Sequence, residues 1–362
     1  MIPHLALSKA ELLQLNKLCK AAEEKGALTP AILKIIYREK WFKLFVPQSH
    51  GGLELAIPEA LQYEESLAYI DGSLGWTVTL CAGANLFVGY IEKKKGLAVF
   101  SKSKVCFGGS GAATGIAEKL EDGYLVNGHW KYATGAPHLT HFTANCIIRE
   151  NGKIMLNEDG SPLVRSFFFN RQDVTIYEDW HTMGLKATAG HSFSVNNLKL
   201  SPQHSFLIDK KCVTLGGRAF EYPFQLFAEI TIAVNTLGMT RHFMDEAFAL
   251  WEKRLLADGI ERLPYNRWTK ELSRTRASLE QLRNKFYEGV EQSWQELQDE
   301  RSVTAKTQHF LGRMSRKMVK ECMRIVAETM PRCGMEAARE NSVMNRIFRD
   351  IFTASQHSLL TQ

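Results

Sequence analysis

The chain has 362 residues, 45% hydrophobic and 23% charged, with no long low-complexity tract, so a mostly disordered protein is excluded and a large buried pocket is within reach. Its 45 basic against 39 acidic residues give a mild positive balance without a nucleic-acid motif, which argues against a DNA or RNA partner. Seven cysteines, an odd number without any C-x-x-C pair, read as reduced thiols in a cytoplasm, and Met1 to Lys9 carries no secretory leader pattern.

Ser8 and Glu11 form a capping box ahead of Leu12, Leu13, Leu15 and Leu18, and Thr29-Pro30 places a cap and a first-turn proline before Ile32, Leu33, Ile35 and Ile36. Two helices follow from these signals. Phe45 to Gly52 is a turn-rich loop, Ile57-Pro58 opens a third helix, and Asp71-Gly72-Ser73 breaks it. Gly72 to Ile91 is uncharged and long enough to cross a bilayer, but its glycines with Ser73, Thr77, Thr79 and Asn85 point to a buried helix of a protein outside the membrane. From Lys104 to Ile208 the pattern turns to short β runs: Tyr124 to Val126, His141 to Ile148, Arg165 to Phe169, Val174 to Tyr177 and Ser192 to Leu200. Asp122-Gly123, Asn127-Gly128, Asn151-Gly152 and Asp159-Gly160 are read as the turns between them. After Phe220 the helical period returns, with Leu279, Leu282, Phe286, Val290, Trp294 and Leu297 in one stripe and Phe310, Met314, Met318, Cys322, Ile325 and Val326 in another. The fold class is α+β, with helical residues 1–103, a middle β segment 104–215 and a closing helical bundle 216–362. That order invites a cofactor between the β segment and the last bundle.

Gly108-Gly-Ser-Gly111 lacks the Gly-Lys-Ser/Thr of a phosphate loop and the second glycine of a nucleophile elbow, so it reads as a loop, with close backbone approach to a cofactor as the sharper alternative. No metal site is expected. His138, His141 and Cys146 have spacings within reach of zinc, but His141 and Cys146 point to opposite faces of a strand. Arg313, Arg316, Lys317 and Lys320 form the basic face of an amphipathic helix, either solvated or near an anionic ligand.

Seven landmarks in order carry a resemblance: Pro47-x-x-x-Gly51-Gly52, Asp71-Gly-Ser-Leu-Gly-Trp76, Tyr124-x-x-Asn-Gly128, Ala133-Thr-Gly135, Met183-Gly184, Pro202 and Arg346-Ile-Phe-Arg-Asp350. Through them the chain resembles the acyl-CoA dehydrogenase superfamily over nearly its whole length. The resemblance implies a helical N-terminal domain, a middle β-barrel domain, a C-terminal four-helix bundle, a bound flavin (FAD or FMN) and a homodimer or homotetramer. It further implies that Thr134 lies near flavin N5, that Tyr132 lies near the ring, and that Ser110, Gly135 and the loop from Trp180 to Thr188 contact the cofactor. By the same analogy Trp76, Phe87 and His138 wall the substrate pocket, which suits an aromatic or other apolar small molecule.

The catalytic end departs from the dehydrogenase pattern. Dehydrogenases of this family mostly carry a glutamate base a few residues after the Arg-Asp pair, whereas Arg349-Asp350 is followed by no carboxylate and Ser358 stands about where the glutamate would be. A serine hydroxyl is too weak a base to take a proton α to a thioester unaided. His357 beside it, with Gly75-Trp76, is similar to the two-component flavin-dependent monooxygenase branch, whose oxygenases receive reduced flavin from a separate flavin reductase. There the histidine assists oxygen activation or deprotonates a phenol. Two other readings stand: a dehydrogenase with its base relocated to Glu229, in the apolar run Phe227-Ala-Glu-Ile-Thr-Ile-Ala, and a flavin- or CoA-binding module without turnover. Arg262 to Arg267 stands where dehydrogenases carry their flavin-adenosine signature.

Overall fold

The structure, a computed structural model, describes residues 5–256 and 263–361. The leader reading at Met1 to Lys9 falls partly outside these residues, and Arg262 lies wholly outside them.

Local chemistry sets the first elements. Helix α1 (Lys9–Lys25) starts on the expected box, with the Ser8 amide donating to Glu11 Oε2 at 2.9 Å and the Glu11 amide to Ser8 Oγ at 3.2 Å. It stops at Gly26, whose φ of 71° is the left-handed conformation a C-cap needs. Helix α2 (Pro30–Arg38) starts on Thr29 and buries Ile32 and Ile36. Helix α3 (Ile57–Ile70) ends at Asp71, which turns extended and caps α4 (Gly72–Asn85) by accepting from the Leu74 amide at 3.0 Å. α4 is buried on nearly every side, so its uncharged sequence makes a core helix. Among the described residues no helix is long and apolar enough to cross a membrane. Gly75 lets α3 and α4 touch, since a Cβ there would meet the Ala68 Cα at 2.5 Å. Helix α5 (Lys93–Phe100) leads into the sheet.

The strands are β1 (Phe107–Leu120), β2 (Gly123–Ala133), β3 (His141–Glu150), β4 (Lys153–Ile154), β5 (Val164–Asn170), β6 (Thr175–Tyr177), β7 (His191–Leu200) and β8 (Ser205–Phe206). They form one sheet in the order β6-β7-β2-β1-β3-β5-β8, with β4 paired to β3. Two readings of the sequence are corrected. Gly108 to Gly111 belongs to β1, which pairs parallel to β3, and its register breaks only between Ser110 and Gly115. Helix-poor, glycine-rich sequence hid this strand; Gly109 is there because a Cβ would lie 1.8 Å from the Thr143 carbonyl oxygen. Asn127-Gly128 is not a turn: β2 runs straight through it, with a bulge against β7 between Val126 and Gly128. Room at Gly115 and Gly128 admits the buried indole of Trp130, which stacks on Phe193 with ring centroids 5.2 Å apart and donates from Nε1 to the Asn145 carbonyl at 3.1 Å.

The closing bundle consists of α6 (Phe224–Leu255), α7 (Leu263–Glu300), α8 (Ala305–Cys333) and α10 (Val343–Ala354), with the short α9 (Met335–Ala338) and α11 (Ser358–Thr361) at the turns. α6 is its axis, packed on α3, α8 and α10. Buried Glu65 of α3 ties the N-terminal helices to it, accepting from Arg241 at 2.6 Å, Arg283 at 2.9 Å and the Tyr287 hydroxyl at 2.7 Å. A buried carboxylate held by two guanidinium groups is strongly destabilising to break from one side. On α8 the expected face is basic and exposed at Arg313, Lys317 and Lys320, while Arg316 turns inward.

Candidate active site

The site is assembled by a clamp between the loop after β6 and helix α10. Gly184 comes so close to α10 that a Cβ would lie 2.0 Å from the Arg349 carbonyl oxygen. On either side of it, the Met183 carbonyl accepts from Arg349 Nη1 at 2.5 Å and the Leu185 amide donates to Asp350 Oδ1 at 2.5 Å. Arg349 also pairs with Glu23 of α1 at 2.8 Å, so three distant stretches of chain meet at the Arg-Asp pair. Burial, and then the neighbouring Asp71 carboxylate, push Asp350 well above the usual carboxylate range. The Arg-Asp pair therefore acts as a strut that fixes both the loop and the helix end carrying His357.

Two cavities open beside this clamp. The larger, about 530 Å³, is walled by Trp76, Tyr132, Thr134, Trp180 and His357, with Leu80, Met183 and Phe352 completing its apolar surface. Its volume is that of a site for a cofactor ring or a drug-sized molecule. Trp180 is held by Nε1 donating to the Leu185 carbonyl at 3.0 Å, lies against Gly190 and meets Tyr132 edge-on at 6.1 Å. Tyr132 is 68% exposed and sits at φ 71°, a backbone conformation that costs a non-glycine residue about 1–3 kcal/mol. The smaller cavity, about 170 Å³, lies between α4, β1, β3 and α6. Phe87, Phe206, Phe224 and Phe227 supply its rings, and Ser110, Thr143, Asn145 and Ser166 its polar groups. Leu80 and Thr134 line both cavities and form the shared wall. Among the described residues no Asp, Glu, Lys or Arg lines either one.

His357 follows α10 and meets Trp76 edge-on at 5.9 Å. Burial pushes its imidazole below the ordinary value, so the ring is neutral at pH 7. Its Nδ1 accepts from the Leu359 amide at 3.3 Å, which places the hydrogen of the neutral ring on Nε2.

Trp76, Tyr132, Thr134, Trp180 and His357 thus come together in one cavity, and Phe87 and Ser110 in the other. Ser110 was expected at the cofactor but lines only the smaller cavity. Gly135 and Thr188 stand just behind the wall, the Gly135 amide donating to the Thr188 carbonyl at 2.7 Å and Thr188 Oγ1 to the Leu185 carbonyl at 2.8 Å. Two residues are placed elsewhere. Glu229 reaches neither cavity: its carboxylate turns to α8, pairs with Arg316 at 3.4 Å and would be met by a Cβ at Gly312. His138, expected on the substrate side, lies behind Gly135 with its ring stacked on Phe42 at 5.7 Å. It does not join His141 and Cys146 but turns to Cys81 and Cys106. No sequence signal pointed to those cysteines, which are 25 residues apart on separate elements.

Residues 230–362 match the family model for the acyl-CoA dehydrogenase C-terminal domain. An indole-3-acetate monooxygenase of Pseudomonas putida is 24% identical over 321 residues, 88% of this chain and 80% of that protein. The flavin-dependent monooxygenase oxygenase subunit HsaA of Mycobacterium tuberculosis is 26% identical over 61% of this chain and 56% of its own length, and its crystal structure overlays with a TM-score of 0.87 across 97% of this chain and 92% of that one, at 18% identity. XiaF from Streptomyces sp., solved with FADH2 and glycerol, overlays with a TM-score of 0.85 at 19% identity, covering 97% and 91%. The chain thus matches the acyl-CoA dehydrogenase C-terminal domain over its closing bundle, shares its whole fold with solved flavin-dependent monooxygenases, and is similar to them in sequence.

Proposed function

We propose that the chain is the oxygenase of a two-component, flavin-dependent monooxygenase that acts on a neutral aromatic or other apolar small molecule. One observation carries this reading: a neutral histidine lines the larger cavity, and no carboxylate lines the cavity on either side of Thr134. A dehydrogenase needs a carboxylate base beside the substrate, and Glu229 faces Arg316 instead.

The larger cavity suits a flavin. Flat walls of Tyr132, Trp76 and Trp180 suit a planar ring, and the Thr134 hydroxyl offers a hydrogen bond at the wall it shares with the smaller cavity. When bound and reduced, a flavin supplies the activation of O2 and the transfer of one oxygen atom to the substrate. Thr134 and Leu80 hold the boundary between cofactor and substrate. Trp76 and Leu80 give the inner wall an apolar surface that disfavours water, which protects reactive species and strengthens hydrogen bonds there. With Nδ1 engaged by Leu359, His357 presents Nε2–H as a donor, suited to stabilising negative charge as it develops on oxygen. That geometry favours donation over removal of a phenol proton, because the basic lone pair is occupied.

The smaller cavity specifies the substrate class. Its four phenylalanines flank a neutral polar edge of Ser110, Thr143, Asn145 and Ser166, and no cation is there to meet a carboxylate. A compact aromatic bearing a hydroxyl, carbonyl or ring N–H fits these walls, and a substrate with a buried carboxylate does not. The similarity to HsaA, the oxygenase subunit of a flavin-dependent monooxygenase, supports a separate reductase as the source of FADH2 or FMNH2. Exposed Tyr132, Met183 and Phe352 around the larger cavity support its being covered by a second copy in a homodimer or homotetramer. Seven unpaired cysteines support a cytoplasmic setting.

The test is anaerobic mixing of the flavin-loaded protein with acyl-CoA thioesters. The flavin should keep its oxidised absorbance; bleaching that disappears in Glu229→Gln would establish a dehydrogenase instead.

A further inference from the structure

Directly behind the Thr134–Gly135 wall lies a group that neither cavity uses. Cys81 comes from α4, Cys106 from the residue before β1, and His138 from the turn after β2. Their two sulfurs and one ring nitrogen all lie within 4.8 Å of one another. Both cysteines are fully buried. His138 Nε2 is itself buried and has no hydrogen-bond partner, an unsatisfied polar atom in a place where such atoms are costly. A Cβ at Gly135 would lie 2.7 Å from that nitrogen and 3.4 Å from Cys81 Sγ, so the nitrogen and the sulfur face the same point. The stack on Phe42 fixes the imidazole in this direction.

We propose that Cys81, Cys106 and His138 bind one thiophilic d10 metal ion, Cu+ or Zn2+, against the back of the cofactor wall. Two thiolates and an imidazole select soft or borderline ions over Mg2+ or Ca2+, which demand oxygen ligands. The geometry needs little adjustment. With metal–sulfur bonds of about 2.3 Å, ligand atoms around a trigonal ion stand about 4 Å apart, so contraction by less than about 1 Å closes the site. Three ligands complete a trigonal Cu+ site, whereas Zn2+ takes a fourth ligand from water or backbone. Binding pairs the orphaned His138 nitrogen and displaces the thiol protons of both Cys81 and Cys106 to solvent. Cys81 Sγ is 3.9 Å from the Thr134 carbonyl oxygen, so the ion sits directly behind the backbone that presents the Thr134 hydroxyl. It is a structural ion: it contacts neither cavity and takes no part in the oxygen chemistry.

The experiment uses the full chain, stripped of metal under reducing, anaerobic conditions and without flavin, so its outcome is independent of the enzymatic reading. Zn2+ and Cu+ are each titrated in competition with a chromophoric chelator, and Co2+ is added separately to look for thiolate-to-metal charge-transfer absorbance. The expected result is one tightly held ion per chain, a raised melting temperature, and an affinity about a hundredfold or more weaker in Cys81→Ser and Cys106→Ser but unchanged in Cys212→Ser. The arm with the tighter one-to-one binding identifies the ion. Should the serine variants fail to fold, X-ray absorption of the loaded wild type decides, with two sulfur and one imidazole scatterers expected. Binding of neither ion, binding that Cys81→Ser and Cys106→Ser leave intact, or a coordination sphere without sulfur overturns the proposal.

Discussion

Replacing Gly184 with alanine drives a methyl group to 2.0 Å from the Arg349 carbonyl oxygen and 2.2 Å from its carbon, far inside an ordinary contact of about 3.4 Å. α10 is packed on α6 and cannot yield, so the loop must move out by more than about 1 Å. That displacement breaks the bonds of Met183 to Arg349 and of Leu185 to Asp350, both 2.5 Å long. Each involves an ionisable partner, and losing the pair costs about 3–6 kcal/mol. Trp180 rides on the same loop through its bond to the Leu185 carbonyl, so the cost falls on the larger cavity. Flavin affinity should drop about a hundredfold or more, the equivalent of about 3 kcal/mol. Reduced and oxidised flavin binding can be followed by fluorescence quenching, with thermal unfolding of the flavin-free protein as the control for the fold. Unchanged affinity would refute the idea that the Arg-Asp strut sets the flavin site.

His357→Gln should retain flavin binding but form product about 10²–10⁴-fold more slowly and release more hydrogen peroxide, because the donor at the oxygen site is misplaced; wild-type coupling in this variant would contradict its role. Since burial holds His357 below the usual imidazole range, any loss of product formation from its protonation should be centred below pH 6.5, and a loss centred at or above 6.5 would show a normally titrating ring. Ala228→Trp fills the smaller cavity, so substrate turnover should collapse while flavin affinity stays within about threefold of wild type; an equal loss of flavin would show that the two cavities are not separate sites. Buried His141 is pushed down to about 4 by burial and by Lys102, Lys95 and His204. Above pH 6.5 the ring is neutral in both folded and unfolded chains; between pH 6.5 and 4 only the unfolded chain takes the proton, so stability falls by up to about 3 kcal/mol. Chemical denaturation of His141→Gln should lack that part of the acid loss.

Features written in local chemistry were legible. Ser8 with Glu11, Thr29-Pro30 and Asp71 announce their helices because each cap is satisfied within four residues. That Tyr132, Thr134 and His357 meet in one cavity was legible through spacing against a known family. β1 was missed because its glycines serve a close approach to β3, a tertiary requirement that lowers strand propensity. Asn127-Gly128 misled for a related reason: the same dipeptide serves a turn or a bulge, and only the partner strand decides. Glu229 was a reasonable base on a linear chain, since helix register alone does not reveal that Arg316 stands opposite. The cluster of Cys81, Cys106 and His138 had no signature, because its members are brought together by the packing of α4 on the start of β1.

The most direct test of the monooxygenase reading is the origin of the product oxygen. Full-length protein supplied with chemically or enzymatically reduced flavin, ¹⁸O₂ and a panel of neutral aromatic substrates should yield a product carrying one ¹⁸O atom, with none incorporated from H₂¹⁸O. Oxygen drawn from water, or an oxidised product formed equally well without O2, would contradict the account.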